Sequence, residues 1–368
     1  MKWLILLACV VVVGCGSPAG DPPDANAEPD AGPVEIGDPL SWALDEAGPF
    51  RVGYQRFEHT YRPDGLDADR TIAVHVWYPT LDTSGPAPMY GGLVRDRDAL
   101  SDATPASPAH ASGRYPVHVY SHGHRGFAGV SAFLHRRLAS HGWITIAPDH
   151  TGNTLLDNVD PRAVALYYLR SLDVRESVDA FVARGELDAD TDHLLLTGHS
   201  FGTHTVWASA GATFDVDRIE STGCTTETPC TDAQLDVFRA GVRDERIVAA
   251  VPMAGIVSSD WFGDTGHTTV SIPLLAMTGS ADANTMSGAD AQFERASTLA
   301  DFTWIDVDGA CHEFFGLGCD DPTGEQERVV GTYVLALGRR HVLGDQSVTA
   351  VLEGTSAVSD RVTLRRGE

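Results

Sequence analysis

Residues 193–202 read His193-Leu194-Leu195-Leu196-Thr197-Gly198-His199-Ser200-Phe201-Gly202, an apolar run leading straight into Gly-x-Ser-x-Gly. A strand that enters this pentapeptide and leaves as a helix forces the serine into a sharp, strained turn at the C-terminal edge of a sheet. Side chains at Gly198 and Gly202 would collide with the neighbouring strand and helix. The helix that follows, expected over 203–211, aims free N–H groups at the point where an oxyanion would form. Ser200 therefore reads as a nucleophile.

A nucleophilic serine needs a base and a group to orient that base, and the sheet's C-terminal edge is where to seek them. His312, in Asp308-Gly309-Ala310-Cys311-His312-Glu313, follows the last expected core strand and is the candidate base. A neutral imidazole is available at pH 7 to take the serine proton. Asp282, in Gly279-Ser280-Ala281-Asp282, follows the strand before and is the first choice of acid; Asp260, after an earlier strand, is its rival. Either gives the order Ser, Asp, His, which is that of α/β-hydrolases. The oxyanion donors are expected to be the backbone N–H groups of Phe201 and of His124, the latter in the turn Ser121-His122-Gly123-His124-Arg125-Gly126. His122 and His124 also make a His-x-His pair of metal-ligand type. No further His/Asp set is spaced to complete a metallohydrolase site, so no metal and no cofactor are expected.

The pattern of elements agrees. Segments 51–61 and 71–79 alternate as antiparallel strands, and 115–121, 143–148, 193–197, 247–253, 273–278 and 302–307 are short apolar core strands. Helices are expected over 130–141, from Pro161 through Phe181, and over 324–343 as the closing element. Strands alternating with helices mean a mostly parallel sheet covered on both faces. Segment 213–246 is longer than a simple connection; it is either a lid or substrate wall, or a passive surface insertion.

Trp77-Tyr78-Pro79, Ser121-His122-Gly123, Pro148-Asp149-His150-x-Gly152-Asn153-Thr154, Gly198-His199-Ser200-Phe201-Gly202 and Gly279-x-x-Asp282 occur in that order. Together they resemble the bacterial α/β-hydrolases related to platelet-activating factor acetylhydrolase, a group often labelled dienelactone hydrolases, over roughly residues 48–344. The resemblance implies an α/β-hydrolase fold and a serine esterase acting on short or oxidised acyl groups, with polyester-cleaving enzymes as cousins. True dienelactone hydrolases use a cysteine nucleophile, so Ser200 departs from that pattern and their substrate is not carried over. Acetylhydrolase members keep the acid after an earlier strand, which keeps Asp260 in play. A thioesterase or peptidase would use the same three groups. The non-enzymatic alternative is a lipid-anchored binding protein that retains the fold without the chemistry.

The beginning of the chain indicates where it works. Met1-Lys2 is a short positive head, and the apolar stretch 4–13 is too short to span a bilayer. Val12-Val13-Gly14-Cys15 resembles the lipobox of bacterial lipoproteins, which implies removal of signal peptide 1–14 and acylation of Cys15. Several acyl chains anchor a protein stably where one does so only marginally. By the habit of that family, Gly16 after the cysteine favours the outer membrane, on its periplasmic face or at the cell surface. Residues 15–38 are rich in Pro, Asp, Ala and Gly and read as a flexible acidic linker, leaving 39–368 for one large domain.

Acidic residues outnumber basic ones 51 to 26, for a net charge of -25, which argues against nucleic acid as a partner because phosphate neutralisation needs basic patches. The expected partners are a small-molecule or lipid ester and the membrane, with the protein acting as a monomer. Beyond Cys9 and Cys15, four cysteines allow three pairings. The short spacings favour Cys224–Cys230 and Cys311–Cys319 over a zinc site, since an exported chain meets an oxidising compartment.

Overall fold

The structure is a computed structural model that describes residues 36–284, 289–319 and 324–367. Signal segment 1–14, the acylation candidate Cys15 and most of linker 15–38 lie outside the described residues. From Gly37 onward the chain forms one unit.

Its strands are β1 (Arg51–Tyr61), β2 (Arg70–Thr80), β3 (Met89–Tyr90), β4 (Val94–Arg95), β5 (Ala99–Ser101), β6 (Tyr115–Ser121), β7 (Ile144–Asp149), β8 (Ala189–His199), β9 (Ile247–Met253), β10 (Leu274–Gly279), β11 (Phe302–Val307) and β12 (Val362–Arg366). Apart from the small β3–β4 hairpin they form one sheet in the order β12-β11-β10-β9-β8-β6-β7-β2-β1-β5. Strands β6 to β11 run parallel, while β2 pairs antiparallel with β7 and β12 with β11.

The larger helices are α1 (Ala132–Ser140), α2 (Leu166–Arg184), α3 (Phe201–Ser209), α4 (Val216–Arg218), α5 (Asp232–Ala240), α6 (Ser259–Phe262), α7 (Ala289–Ala296), α8 (Glu325–His341) and α9 (Thr349–Leu352). Every residue of β6 is buried, the continuous apolar signature of a strand covered on both sides. Alternation within a strand divides the core. Leu194 and Leu196 of β8 point with Leu169 of α2 and Val206 of α3 to one face. Leu195 points with Leu138 of α1 and Val334 of α8 to the other.

Two expectations need correcting. Pro161 does not begin a helix: α2 starts at Leu166, and Pro161 sits in the preceding loop behind a cis Asp160–Pro161 bond. That loop is occupied otherwise, since its Arg162 lies over the rings of Tyr167 and Phe201. The closing helix does not end the fold: after α8 come α9 and β12, whose Arg-rich sequence hides an edge strand with a half-exposed face. Segment 213–246, expected as a lid, a substrate wall or a surface insertion, is anchored in the core. Its Phe214, Ile219, Leu235 and Phe238 are buried in the core face that carries α2, and α5 begins with a Thr231/Gln234 capping box. The apolar residues of this insertion pack inward, so among the described residues it contributes none to the hollow at Ser200.

Candidate active site

Strand β8 ends at His199 and α3 begins at Phe201, leaving one residue to reverse the chain. Ser200 does so at φ 55, ψ -117, a conformation that costs a non-glycine residue strain and persists only where its surroundings impose it. The surroundings are tight. A Cβ on Gly202 would stand 2.0 Å from the carbonyl oxygen of Ser121 at the end of β6, and one on Gly198 would stand 2.4 Å from that of Gly202. Backbone bonds complete the turn: Ser200 N–H donates to Met253 O at 2.9 Å and Thr203 N–H to Ser200 O at 2.9 Å.

His312 opens the short 3-10 turn after β11, and Asp282 lies in the loop after β10. The parallel pairing of those strands brings the loops side by side, and Ala281 N–H donates to Ala310 O at 3.0 Å. His312 Nδ1 meets Asp282 Oδ2 at 2.8 Å. Asp282 is fully buried, and its Oδ1 accepts the Asn284 N–H at 2.9 Å. With Nδ1 so engaged, Nε2 is the nitrogen left for chemistry. From below, His199 Nε2 lies 3.0 Å from the His312 carbonyl oxygen. Because a carbonyl only accepts, that nitrogen carries the proton, and burial pushes the His199 imidazole down to about 4, keeping it neutral.

Both cysteine pairs are bonded, Cys224 to Cys230 and Cys311 to Cys319, and the second brackets His312. Asp260, the rival acid, is exposed in α6 on the side of Tyr167 and Trp261, and the structure does not bring it to His312.

Ser200 and His312 open on one hollow of about 450 Å³, which Gly123, His124, Leu155 and Leu317 also line. Gly123 abuts the nucleophile, since a Cβ there would touch Ser200 Cβ at 3.0 Å. The Phe201 and His124 backbone N–H groups have no acceptor among the described residues. Burial, together with the nearby guanidiniums of Arg162 and Arg125, lowers the His124 imidazole.

The His-x-His pair does not converge. His122 is buried, with Nδ1 on Gly123 O at 2.7 Å and Nε2 accepting the His150 N–H at 3.0 Å, so both of its nitrogens hold the loop together. Exposed His124 accepts from Asn153 Nδ2 at 2.7 Å. Among the described residues, the group that does gather metal-ligand atoms within 4.8 Å of one another is His199, His312 and Glu313. Each of the two histidines uses one ring nitrogen in the bonds given above, His199 its Nε2 and His312 its Nδ1.

The sequence reading missed a layer beneath the site. Asp149 Oδ1 accepts the Ala128 N–H at 2.7 Å, His150 joins Ser121 Oγ at 2.9 Å to Asp173 Oδ2 at 2.8 Å, and buried Asn153 and Arg170 bond at 2.8 Å. The signal for part of it lay in Pro148-Asp149-His150-x-Gly152-Asn153, whose polar residues follow an apolar strand with no surface role.

A chlorophyllase family model matches residues 103–220, about a third of the chain and the part that holds both the turn after β6 and the elbow. A solved structure, a ferulic acid esterase from Streptomyces cinnamoneus, aligns with a TM-score of 0.59 and 21% identity, covering 87% of this chain and 98% of its own. No curated protein matches the sequence. The chain has the α/β-hydrolase fold.

Proposed function

We propose that the protein is a serine hydrolase of carboxylic esters with short or medium acyl groups. The observation that carries this reading is the strained Ser200 elbow sharing one hollow with a His312 whose Nδ1 is held by buried Asp282. The names of the matched family and structure, a chlorophyllase and a ferulic acid esterase, are those of ester-cleaving proteins and support the same class.

In the reading proposed, Ser200 Oγ attacks the ester carbonyl carbon as its proton passes to His312 Nε2. The oxyanion that forms sits against the N–H groups of Phe201 and His124. The intermediate collapses, the carbon–oxygen bond to the alcohol breaks, and the departing oxygen takes the proton from His312. Water then attacks the acyl-serine by the same route and releases the acid and free Ser200. Asp282 holds the imidazole in the tautomer that leaves Nε2 facing the serine. Leu155 and Leu317, both well exposed at the rim, offer apolar surface to an acyl chain. We also propose that acylated Cys15 tethers the enzyme to a membrane, which intact-mass measurement of protein from its native host would test.

The deciding experiment is a fluorophosphonate probe with a panel of nitrophenyl esters of increasing chain length. Ser200 should be labelled, and Ser200→Ala should lose both labelling and turnover. Folded protein that takes no label and cleaves none of the esters would leave a binding protein as the better reading. Faster turnover of thioesters or peptides than of esters would move the assignment to those classes.

A further inference from the structure

Arg170 lies in the second turn of α2 with its whole side chain buried, and among the described residues no carboxylate pairs with it directly. Asp173, whose charge favours this guanidinium from a distance, is bonded instead to Arg70 at 2.7 Å, to Tyr61 at 2.7 Å and to His150 at 2.8 Å. A buried cation without a counter-ion is costly and must be held by hydrogen bonds. Burial pushes this guanidinium down to about 9, so it still carries its charge at pH 7. All of its hydrogen-bond acceptors are neutral. Nε donates to Thr205 Oγ1 at 3.1 Å, Nη1 to Asn153 Oδ1 at 2.8 Å, and Nη2 to Ser121 Oγ at 3.1 Å and to the His122 carbonyl oxygen.

These contacts reach both halves of the oxyanion hole. Ser121 and His122 begin the turn that carries the His124 N–H. Asn153, fully buried, accepts from Arg170 with its oxygen and donates from its nitrogen to His124 Nδ1 at 2.7 Å. On the other side, the guanidinium carbon lies 4.6 Å from the centre of the Phe201 ring, and Phe201 supplies the first donor. One planar, rigid fork therefore touches the residue bearing one N–H and, through Asn153, the residue bearing the other.

We propose that Arg170 and Asn153 are positioning residues that set the spacing between the two oxyanion donors, Asn153 acting through the His124 ring. The inference rests on the hydrolase reading above. Donors aimed at developing charge help only when they are already in place, since misplacement is felt in the transition state more than in substrate binding.

The test uses Asn153→Ala, His124→Ala (which keeps the backbone N–H) and their double variant, with Arg170→Lys and Arg170→Gln. Nitrophenyl ester kinetics are read beside the inhibition constant of an arylboronic acid that mimics the tetrahedral adduct. Asn153→Ala should lower kcat about 10- to 100-fold with KM within twofold, and weaken the boronic acid by a similar factor. His124→Ala should do the same, and the double variant should be no worse than either, because both cut one connection. Arg170→Lys keeps a charge but not the fork, so it should fail to restore wild-type kcat.

Asn153→Ala within twofold of wild type would overturn the proposal, as would losses that multiply in the double variant, or a kcat loss without weaker boronic acid binding. If Arg170→Gln does not fold, the Asn153 and His124 variants still decide. Wild-type protein that takes no fluorophosphonate label would instead count against the hydrolase reading itself, so the two failures are distinguishable.

Discussion

Lowering the pH from 7 to 5.5 should remove about 5 kcal/mol of folding stability, through histidines that take no part in proton transfer. Burial pushes His135 and His204 down to about 3, and His141, His150 and His199 down to about 4. Burial is what keeps each neutral, and it outweighs the bond each makes to a neighbour, for example His135 to Ala128 O at 2.9 Å and His204 to Tyr167 O at 3.1 Å, which by itself would favour the charged ring. In the unfolded chain the same rings titrate near 6.5. The unfolded state therefore binds more protons below that pH. The contribution of these rings is fully present above about pH 7 and falls away as the pH drops from 6.5 toward 4. At pH 5.5 each ring accounts for roughly 1 kcal/mol relative to pH 7, from about 1.4 kcal/mol per pKa unit. Five such rings together approach the whole net stability of many domains, about 5–15 kcal/mol. Urea unfolding followed by tryptophan fluorescence at pH 7.5, 6.5 and 5.5 measures the fall. The slope near pH 5.5 should correspond to at least about four protons taken up on unfolding, since His118 and His122 are lowered by burial as well, and His204→Phe should reduce it by about one. A fall of less than about 1.5 kcal/mol between pH 7.5 and 5.5, roughly one proton's worth, would refute the reasoning.

Three further outcomes are expected. Asp282→Asn should lower kcat by about 10⁴, the loss seen for the equivalent change in an unrelated protease, while Asp260→Asn stays within twofold; ester kinetics on both would show the reverse if the exposed acid were the partner. Gly202→Ala should abolish activity and cost about 3 kcal/mol or more, because the new methyl would stand 2.0 Å from the Ser121 carbonyl with backbone on both sides; an active variant of unchanged melting temperature would mean that the elbow is looser than described. Replacing Cys311 and Cys319 by serine removes a cross-link between residues eight apart and should cost about 2.5 kcal/mol. Activity should then decline at temperatures where circular dichroism still reports the fold, and coincident loss of both would count against local control of the His312 turn.

Much of the fold was legible because its signals are local. Three leucines in a row before Gly198 mark a strand buried on both faces, and the bounds expected for β6, β9 and β11 match those observed. Elements whose signals are weak or misleading were missed. The strand β12 carries three arginines within its flank and length and reads as polar. Pro161 looks like a helix start on its own, but the loop around it is held by contacts of Arg162 with Phe201, nearly forty residues on, which no local rule contains.

At the site the division is similar. Ser200, the candidate donors and the loops bearing His312 and Asp282 could be named from strand ends alone. Arg170 and Asn153 could not, because a helical arginine ordinarily points to solvent and only packing shows this one turned inward.

By itself, the order of residues determined where the chain turns, which runs are covered on both faces, and that a serine must stand at a kinked strand end. Such features depend on neighbours a few positions away and on backbone sterics. Tertiary structure alone decided which carboxylate meets the His312 ring, which cysteines join, and where an unpaired guanidinium comes to rest. Those contacts link residues 6 to about 50 positions apart, and the longer of them are brought within bonding distance only by the sheet's strand order and helix packing.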